Sequence, residues 1–293
     1  MPLPVILLNR RAGLAAADIR QIETSLAVAG WNAEIRQVDP QDCRAAATAA
    51  VQAGAPVVVA AGGDGTVSAV AGALVDTPIP LGILPMGTLN HFARDLGLPT
   101  ELTLAAKILA AGHVRQVDVA EVNGRPFINN CSIGLYPHMV THRERQRQRL
   151  GRNKWFAMGL AVFSVVGRYP LVHVLIDAPG LLVRSRTPLV FVGNNRYHIN
   201  LLKLGSRPAL DGGELSVYLV NTPRRISLIA LAVRLLLGRA RAERDFRSFV
   251  VPQVRIETHR RHLRVALDGE VLRLDPPLRF RSRPGALAVL APP

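Results

Sequence analysis

The sequence predicts an α/β chain of two domains, an N-terminal doubly wound parallel sheet followed by a β-rich second domain, on three observations. Apolar strand-like runs alternate with helix-like stretches through the first third of the chain, the pattern of βα units on a parallel sheet. From about Arg115 the texture changes to short strand-like runs separated by Asn-Gly, Pro-Gly and Gly-Gly turns. The length of 293 residues exceeds one comfortable core and suits two domains of ordinary size. We place the domains at 1–114 and 115–293, with the final apolar run, 286–290, free to pack in either.

The apolar run 5–8 is read as the first strand, because no basic residue precedes it and Asn9-Arg10-Arg11 ends it where a signal peptide would continue. Ile19, Ile22 and Leu26 fall on one helical face, 31–38 reads as a strand, and the alanine-rich 43–53 as a helix. The β-branched run 56–61 suits a strand buried on both faces. A glycine loop and a helix follow, then a strand over 81–84 and helices over about 88–95 and 101–111. In the second domain, strands are expected over 117–122, 172–176, 189–192, 215–220, 254–256 and 263–267.

Composition narrows the function classes. No apolar run approaches the roughly 18 to 20 residues of a membrane span. Cys43 and Cys131 make no disulfide framework and have no neighbours at zinc spacing, which points to a reducing cytosol. The formal net charge of +15 is nearly all arginine, since lysine occurs only at Lys107, Lys154 and Lys203. Such a chain seeks polyanions or simply carries a solvated basic surface. Few aromatics accompany the arginines and no recognition helix or zinc-finger spacing appears, so an anionic membrane is expected and nucleic acid is not. The arginine-dense 143–152, the apolar 155–166 and the apolar 226–237, with Arg239 and Arg241 after it, are the membrane-contact candidates.

Three motifs carry chemistry. Gly62-Gly63-Asp64-Gly65-Thr66 lies between a buried strand and a helix, where glycines expose backbone N–H groups and the helix adds its positive end, a phosphate site. Asp64 would repel phosphate directly and makes sense as a holder of a metal ion beside it. Pro85-Met86-Gly87-Thr88-Leu89-Asn90 follows the next strand, and in an open α/β sheet adjacent carboxyl-end loops converge on one crevice. Gly87 permits close approach, while Thr88 and Asn90 offer polar side chains; Thr88 also suits a helix N-cap. Asp268-Gly269-Glu270 places two carboxylates about a turn glycine. Either fits a general base, and the string also fits a plain hairpin turn with solvated acids.

Together these residues resemble the diacylglycerol kinase catalytic family, bacterial lipid kinases related to sphingosine and ceramide kinases. The resemblance spans nearly the whole chain and rests on 62–66, on Pro85, Gly87, Thr88, Asn90, Phe92, Ala93 and Arg94, on Asp118, Phe127, Asn129 and Gly134, and on 268–270. It implies a nucleotide-binding first domain, a β-sandwich-like second domain, and ATP with Mg2+ in the cleft between them. It further implies ATP contacts from Asn9, Gly62, Gly63, Asp64, Gly65, Thr66, Gly87, Thr88 and Asn90, and Mg2+ ligation by Asp64 and Asp118. Glu270 or Asp268 would be the base, with Glu270 ranked first.

The expected reaction is transfer of the γ-phosphate of ATP to a membrane-lipid hydroxyl, foremost diacylglycerol giving phosphatidic acid. The chain would work in the cytoplasm, peripherally on the inner face of the membrane, with its oligomeric state open and a homodimer among the options. The departures are Arg10 in the opening Asn-Pro-x-x-Gly turn that Asn9 and Gly13 match, Gln37, Ser68-Ala69 in place of Asn-Glu, and His91 in place of aspartate. Asp211-Gly212-Gly213-Glu214 replaces an Asp-Asp-Gly that can hold a structural metal, leaving Asp211 as a remaining ligand. Competing readings are a nucleotide- or lipid-binding sensor without catalysis, and an NAD-kinase-like enzyme.

Overall fold

The computed structural model describes residues 2–10, 16–134, 171–200, 203–220 and 246–293. Gly13 and the membrane-contact candidates at 143–152, 155–166, 226–237, Arg239 and Arg241 lie outside the described residues.

The N-terminal unit alternates β1 (Val5–Asn9), α1 (Ala16–Ala29), β2 (Glu34–Val38), α2 (Cys43–Gln52), β3 (Val58–Gly62), α3 (Asp64–Leu74) and β4 (Leu81–Pro85), then α4 (His91–Asp95) and α5 (Leu102–Ala111). Its strands run parallel in the order β2-β1-β3-β4. Side chains alternate across the sheet. Val5, Leu7, Val58, Ala60, Leu81 and Ile83 pack with α2 and α3, whereas Ile6, Leu8, Val59, Ala61 and Leu84 pack with α1 and α5. Burial on both faces explains the uninterrupted apolar runs of β3 and β4.

The second unit contributes β5 (Val114–Val122), β6 (Arg125–Phe127), β7 (Asn130–Gly134), β8 (Val172–Ala178), β9 (Leu181–Thr187), β10 (Leu189–Asn194), β11 (His198–Asn200) and β12 (Lys203–Ser206). It continues through β13 (Leu215–Val220), β14 (Phe246–Val251), β15 (Gln253–Glu257), β16 (Leu263–Leu267), β17 (Glu270–Leu274) and β18 (Leu278–Leu290). An antiparallel sheet in the order β14-β13-β10-β7-β16-β17 forms one layer. Its apolar face, with Ile133, Val190, Val192, Val217 and Val265, shares one core with Val174, Ile176, Ile256, Leu278 and Phe280 of the opposing layer.

That opposing layer is continuous with the parallel sheet. β18 pairs with β15 in its first half and with β5 on both sides of a register shift after Arg283, and its second half also lies parallel to β4 through Val289 and Leu81. The final run 286–290 therefore returns to the N-terminal sheet, and one ten-stranded sheet serves both units.

Candidate active site

The carboxyl ends of β1, β3 and β4 meet as the parallel-sheet pattern requires. No separate glycine loop follows β3: the chain passes from Gly62 through the N-cap Gly63 straight into α3, so Asp64, Gly65 and Thr66 are its first turn. Val67 N–H bonds the Gly63 carbonyl and Gly63 supplies no side-chain cap. The amides of this turn thus have no acceptor within the helix. Gly65 is exposed, and a Cβ built on it meets nothing.

Two glycines are demanded by packing. A Cβ on Gly62 would lie 2.6 Å from Thr66 Oγ1, the atom that Asn9 Nδ2 reaches at 2.8 Å. On Gly87 it would lie 2.5 Å from the Gly63 Cα, so the two loops touch glycine to glycine. Asn90, with φ of 49°, closes the 87–90 turn: its Oδ1 accepts the Gly87 N–H at 2.9 Å and its Nδ2 donates to the Gly87 carbonyl at 2.8 Å.

One N–H and one lone pair of that amide are thereby engaged by the backbone, and Asn90 as a contact of ATP stays an expectation. It is Asn90, too, that occupies the N-cap position of α4, not Thr88, which is exposed. The cap hydrogen bond comes from Asp64, whose Oδ1 accepts the His91 N–H at 2.7 Å.

Asp64 Oδ2 takes no hydrogen bond among the described residues, and that oxygen can serve a metal ion. The other two expected ligands have partners within the protein. Asp118 is buried, and its Oδ1 accepts the Gly285 N–H at 2.9 Å while its Oδ2 accepts the Gly213 N–H at 2.6 Å. Asp211 is exposed and pairs with Arg115 at 3.1 Å. Among the described residues no three His, Cys, Asp or Glu side chains gather to hold a metal. The Asp211–Glu214 loop is instead tied by Asp118 and by Asn195 Oδ1, which accepts the Gly212 N–H at 3.1 Å. Magnesium would suit Asp64 as a partner of nucleotide phosphates, the usual arrangement of one or two carboxylates plus phosphate oxygens.

The β16–β17 hairpin closes the site from the second unit. Its turn has φ of 47° at Asp268 and 89° at Gly269, the two left-handed positions of a type I′ turn. Asp268 Oδ1 accepts the N–H groups of Asn129 (2.8 Å) and Asn130 (3.0 Å), and Oδ2 accepts those of Ile128 (2.9 Å) and the Ser68 hydroxyl (2.6 Å). Burial pushes this carboxyl above its ordinary range, opposed by those four donors. With all four acceptor positions occupied, Asp268 is ill suited to take a substrate proton. Glu270 is exposed, with no hydrogen bond or ion pair among the described residues, and stays available.

Ser68 and Asp64 are four residues apart on α3, so they share a helix face with a rise of about 6 Å between them. The contact of Ser68 with Asp268 therefore brings the Asp268-Gly269-Glu270 turn to within about one helical turn of the open amides at the start of α3.

A second linkage went unseen in the sequence. Arg207 is buried, with Nε on Asp95 Oδ2 at 2.7 Å, Nη1 on the Ile128 carbonyl at 2.5 Å and Nη2 on Asn129 Oδ1 at 3.0 Å. Its guanidinium lies over Phe92 and Tyr197, 5.5 and 5.3 Å from the ring centroids. Tyr197 donates to the Asn129 carbonyl at 3.0 Å, and burial raises its hydroxyl pKa to about 12. Arg207 thus joins α4 to the segment between β6 and β7 that Asp268 holds. A lone arginine in an arginine-rich chain gives no signal of this; Asn129, which the family resemblance does single out, is its partner.

Residues 4–122 match the family profile of the diacylglycerol kinase catalytic domain, and residues 132–291 that of the YegS C-terminal NAD kinase beta sandwich-like domain. The chain belongs to the YegS-type diacylglycerol kinase catalytic family. It is a kinase. A probable lipid kinase YegS-like of Pseudomonas aeruginosa is 33% identical over 86% of this chain and 82% of its own. A relative of the same name in Pseudomonas fluorescens is 29% identical over 94% and 91%. A putative diacylglycerol kinase from Bacillus anthracis, solved by crystallography, shares the fold with a TM-score of 0.76 at 24% identity, covering 99% of this chain and 95% of that one.

Proposed function

We propose that the protein transfers the γ-phosphate of ATP to a hydroxyl of a membrane lipid, with diacylglycerol as acceptor and phosphatidic acid as product. The observation that carries this reading is the Ser68–Asp268 contact, which sets a free carboxylate, Glu270, beside the open first turn of α3.

The amides of Asp64, Gly65 and Thr66 bind phosphate oxygens, aided by the positive end of the helix. Gly65 lets them approach, and the Gly63–Gly87 contact places the second loop against the first. A divalent ion on Asp64 would neutralise phosphate charge as the β–γ bond loosens. Glu270 accepts the proton of the lipid hydroxyl while its oxygen attacks the γ-phosphorus in line; the bond to the β–γ bridging oxygen breaks and ADP leaves. Positioning and charge stabilisation supply most of the acceleration in such transfers. A membrane-lipid acceptor and ATP together place the kinase as a peripheral protein on the inner face of the membrane, where ATP is available.

The test is transfer of labelled γ-phosphate from ATP and magnesium to a panel of lipids in mixed micelles, with NAD+ as a separate acceptor. Wild type is compared with Glu270→Gln and Asp64→Ala. Label on diacylglycerol from wild type alone supports the reading, and label on another lipid reassigns the substrate. Label on NAD+ favours the second reading that the β-sandwich description suggests, and ATP binding without any transfer favours a nucleotide sensor.

A further inference from the structure

Away from the catalytic turn, the same β16–β17 hairpin carries a cationic concavity. Arg264 of β16 and Arg273 of β17 pair directly across the ladder, which sets their Cβ atoms about 5 Å apart on one face. Like charges so placed repel each other and are destabilising. Among the described residues no acid pairs with either: the ion pairs of this region are Arg255 with Glu257 and His262 with Asp275. With Arg260 and His262 the two arginines line a concavity of about 400 Å³, bounded by Gly134 and Val172. Leu267 and Glu270 close the ladder at the catalytic turn, and the arginine pair lies three residue pairs along it, about 10 Å away at the usual strand rise. It is therefore separate from the phosphate-binding end of the cleft.

We propose that this concavity binds the phosphodiester headgroups of anionic lipids and docks the β-sandwich on a negatively charged bilayer. A phosphodiester between Arg264 and Arg273 converts their repulsion into two charge-assisted hydrogen-bonded pairs. The choice of a bilayer rests on the lipid-kinase reading. It is favoured over nucleic acid because no Phe, Tyr or Trp among the described residues lines the concavity to stack a base, and because its size suits one or two headgroups rather than the track of a strand.

The test is sedimentation with phosphatidylcholine vesicles containing or lacking phosphatidylglycerol, at low and high salt, using full-length protein without ATP. Arg264→Thr with Arg273→Thr keeps the β propensity of both strands, and thermal unfolding verifies the fold. Arg20→Ser with Lys107→Ser, two exposed positions on the first unit, removes the same charge elsewhere. Wild type should bind the anionic vesicles in a salt-sensitive way. Each arginine at an anionic surface contributes about fivefold, so the double arginine variant should lose about 25-fold and the control less than about twofold.

Equal losses in the two variants would show a diffuse effect of net charge and overturn the site, as would binding that ignores salt or phosphatidylglycerol. Loss of binding to a duplex oligonucleotide, with vesicle binding intact, would overturn it in favour of nucleic acid. Vesicle binding is read without phosphotransfer, so failure of the kinase reading and failure of the docking site are told apart.

Discussion

The Ser68 hydroxyl donates to Asp268 Oδ2 across 2.6 Å, so a helix of the parallel-sheet unit and a hairpin turn of the β-sandwich are joined through one short side chain and one carboxylate. The same carboxylate holds the amides of Ile128, Asn129 and Asn130. Replacing Ser68 by alanine leaves those three bonds intact, and we expect a loss of about 1 to 2 kcal/mol for one charged hydrogen bond. Asp268→Ala strands three backbone donors and should cost about 3 to 5 kcal/mol, near the upper range for a single substitution. Urea unfolding of the two variants measures the difference. Equal losses would mean that the backbone amides find water in place of the carboxylate.

Glu270 is expected to behave in the opposite way from its neighbour two residues earlier. Exposed and unpaired among the described residues, it adds little to stability, so Glu270→Gln should unfold with wild type to within about 0.5 kcal/mol. As general base it should lower kcat by about 10²- to 10⁴-fold with little change in the KM for ATP. A variant of unchanged kcat would remove Glu270 from the mechanism.

Glycines 65 and 87 separate folding from binding. The Gly65→Ala Cβ meets no protein atom, whereas the Gly87→Ala Cβ would come 2.5 Å from the Gly63 Cα and force the two loops apart. Gly65→Ala should cost at most about 0.5 kcal/mol of stability, since alanine favours a helix over glycine, yet raise the KM for ATP at least about tenfold by crowding the phosphates. Gly87→Ala should lower both stability and ATP affinity. Calorimetric titration with ATP beside thermal unfolding distinguishes them. Full ATP affinity in Gly65→Ala would place the phosphates elsewhere.

Much of this arrangement was legible because its causes are local. The βα alternation, the apolar runs of β3 and β4 and the two glycine-rich strings each follow from short-range sterics and burial, and the exact spans of β13 and β16 follow from apolar alternation. Strands β7 and β17 were not expected, since Asn130-Cys131-Ser132 and the charged Glu270 and Arg273 weaken the strand pattern. The engagement of Asp268, but not Glu270, by backbone donors was illegible for a different reason. It depends on amides at 128–130 that lie about 140 residues away in the chain, a separation no local pattern encodes. The two glycine N–H partners of Asp118 likewise come from two distant segments and have no local signal.

Those partners make a prediction about metal removal. A loop held by Asp118, Asn195 and Arg115 needs no divalent ion to keep its shape. Chelation should therefore leave the thermal midpoint within about 1 °C of the untreated protein, while phosphotransfer, for which we propose a metal with ATP, should stop. Asp118→Asn should lower the midpoint by several degrees with or without chelator, because an amide cannot accept from both glycines. A midpoint that falls on chelation and recovers with magnesium would restore a structural metal to the second unit.

Arg207 and Asp95 provide the last and most demanding comparison. Their side chains are 0% and 6% exposed, so either one alone is a buried charge without its counterpart. Arg207→Met should cost about 3 to 5 kcal/mol, and Asp95→Asn should also be costly, since it leaves the guanidinium unneutralised. The double variant should be less unstable than the sum of the singles, with a coupling of at least about 1 kcal/mol in a double-mutant cycle by urea unfolding. Because Arg207 also bonds Ile128 and Asn129, part of its loss should persist when Asp95 is already changed. If instead the two effects simply add, the ion pair contributes little, and the stacking on Phe92 and Tyr197 together with the backbone bonds is what joins α4 to the sandwich.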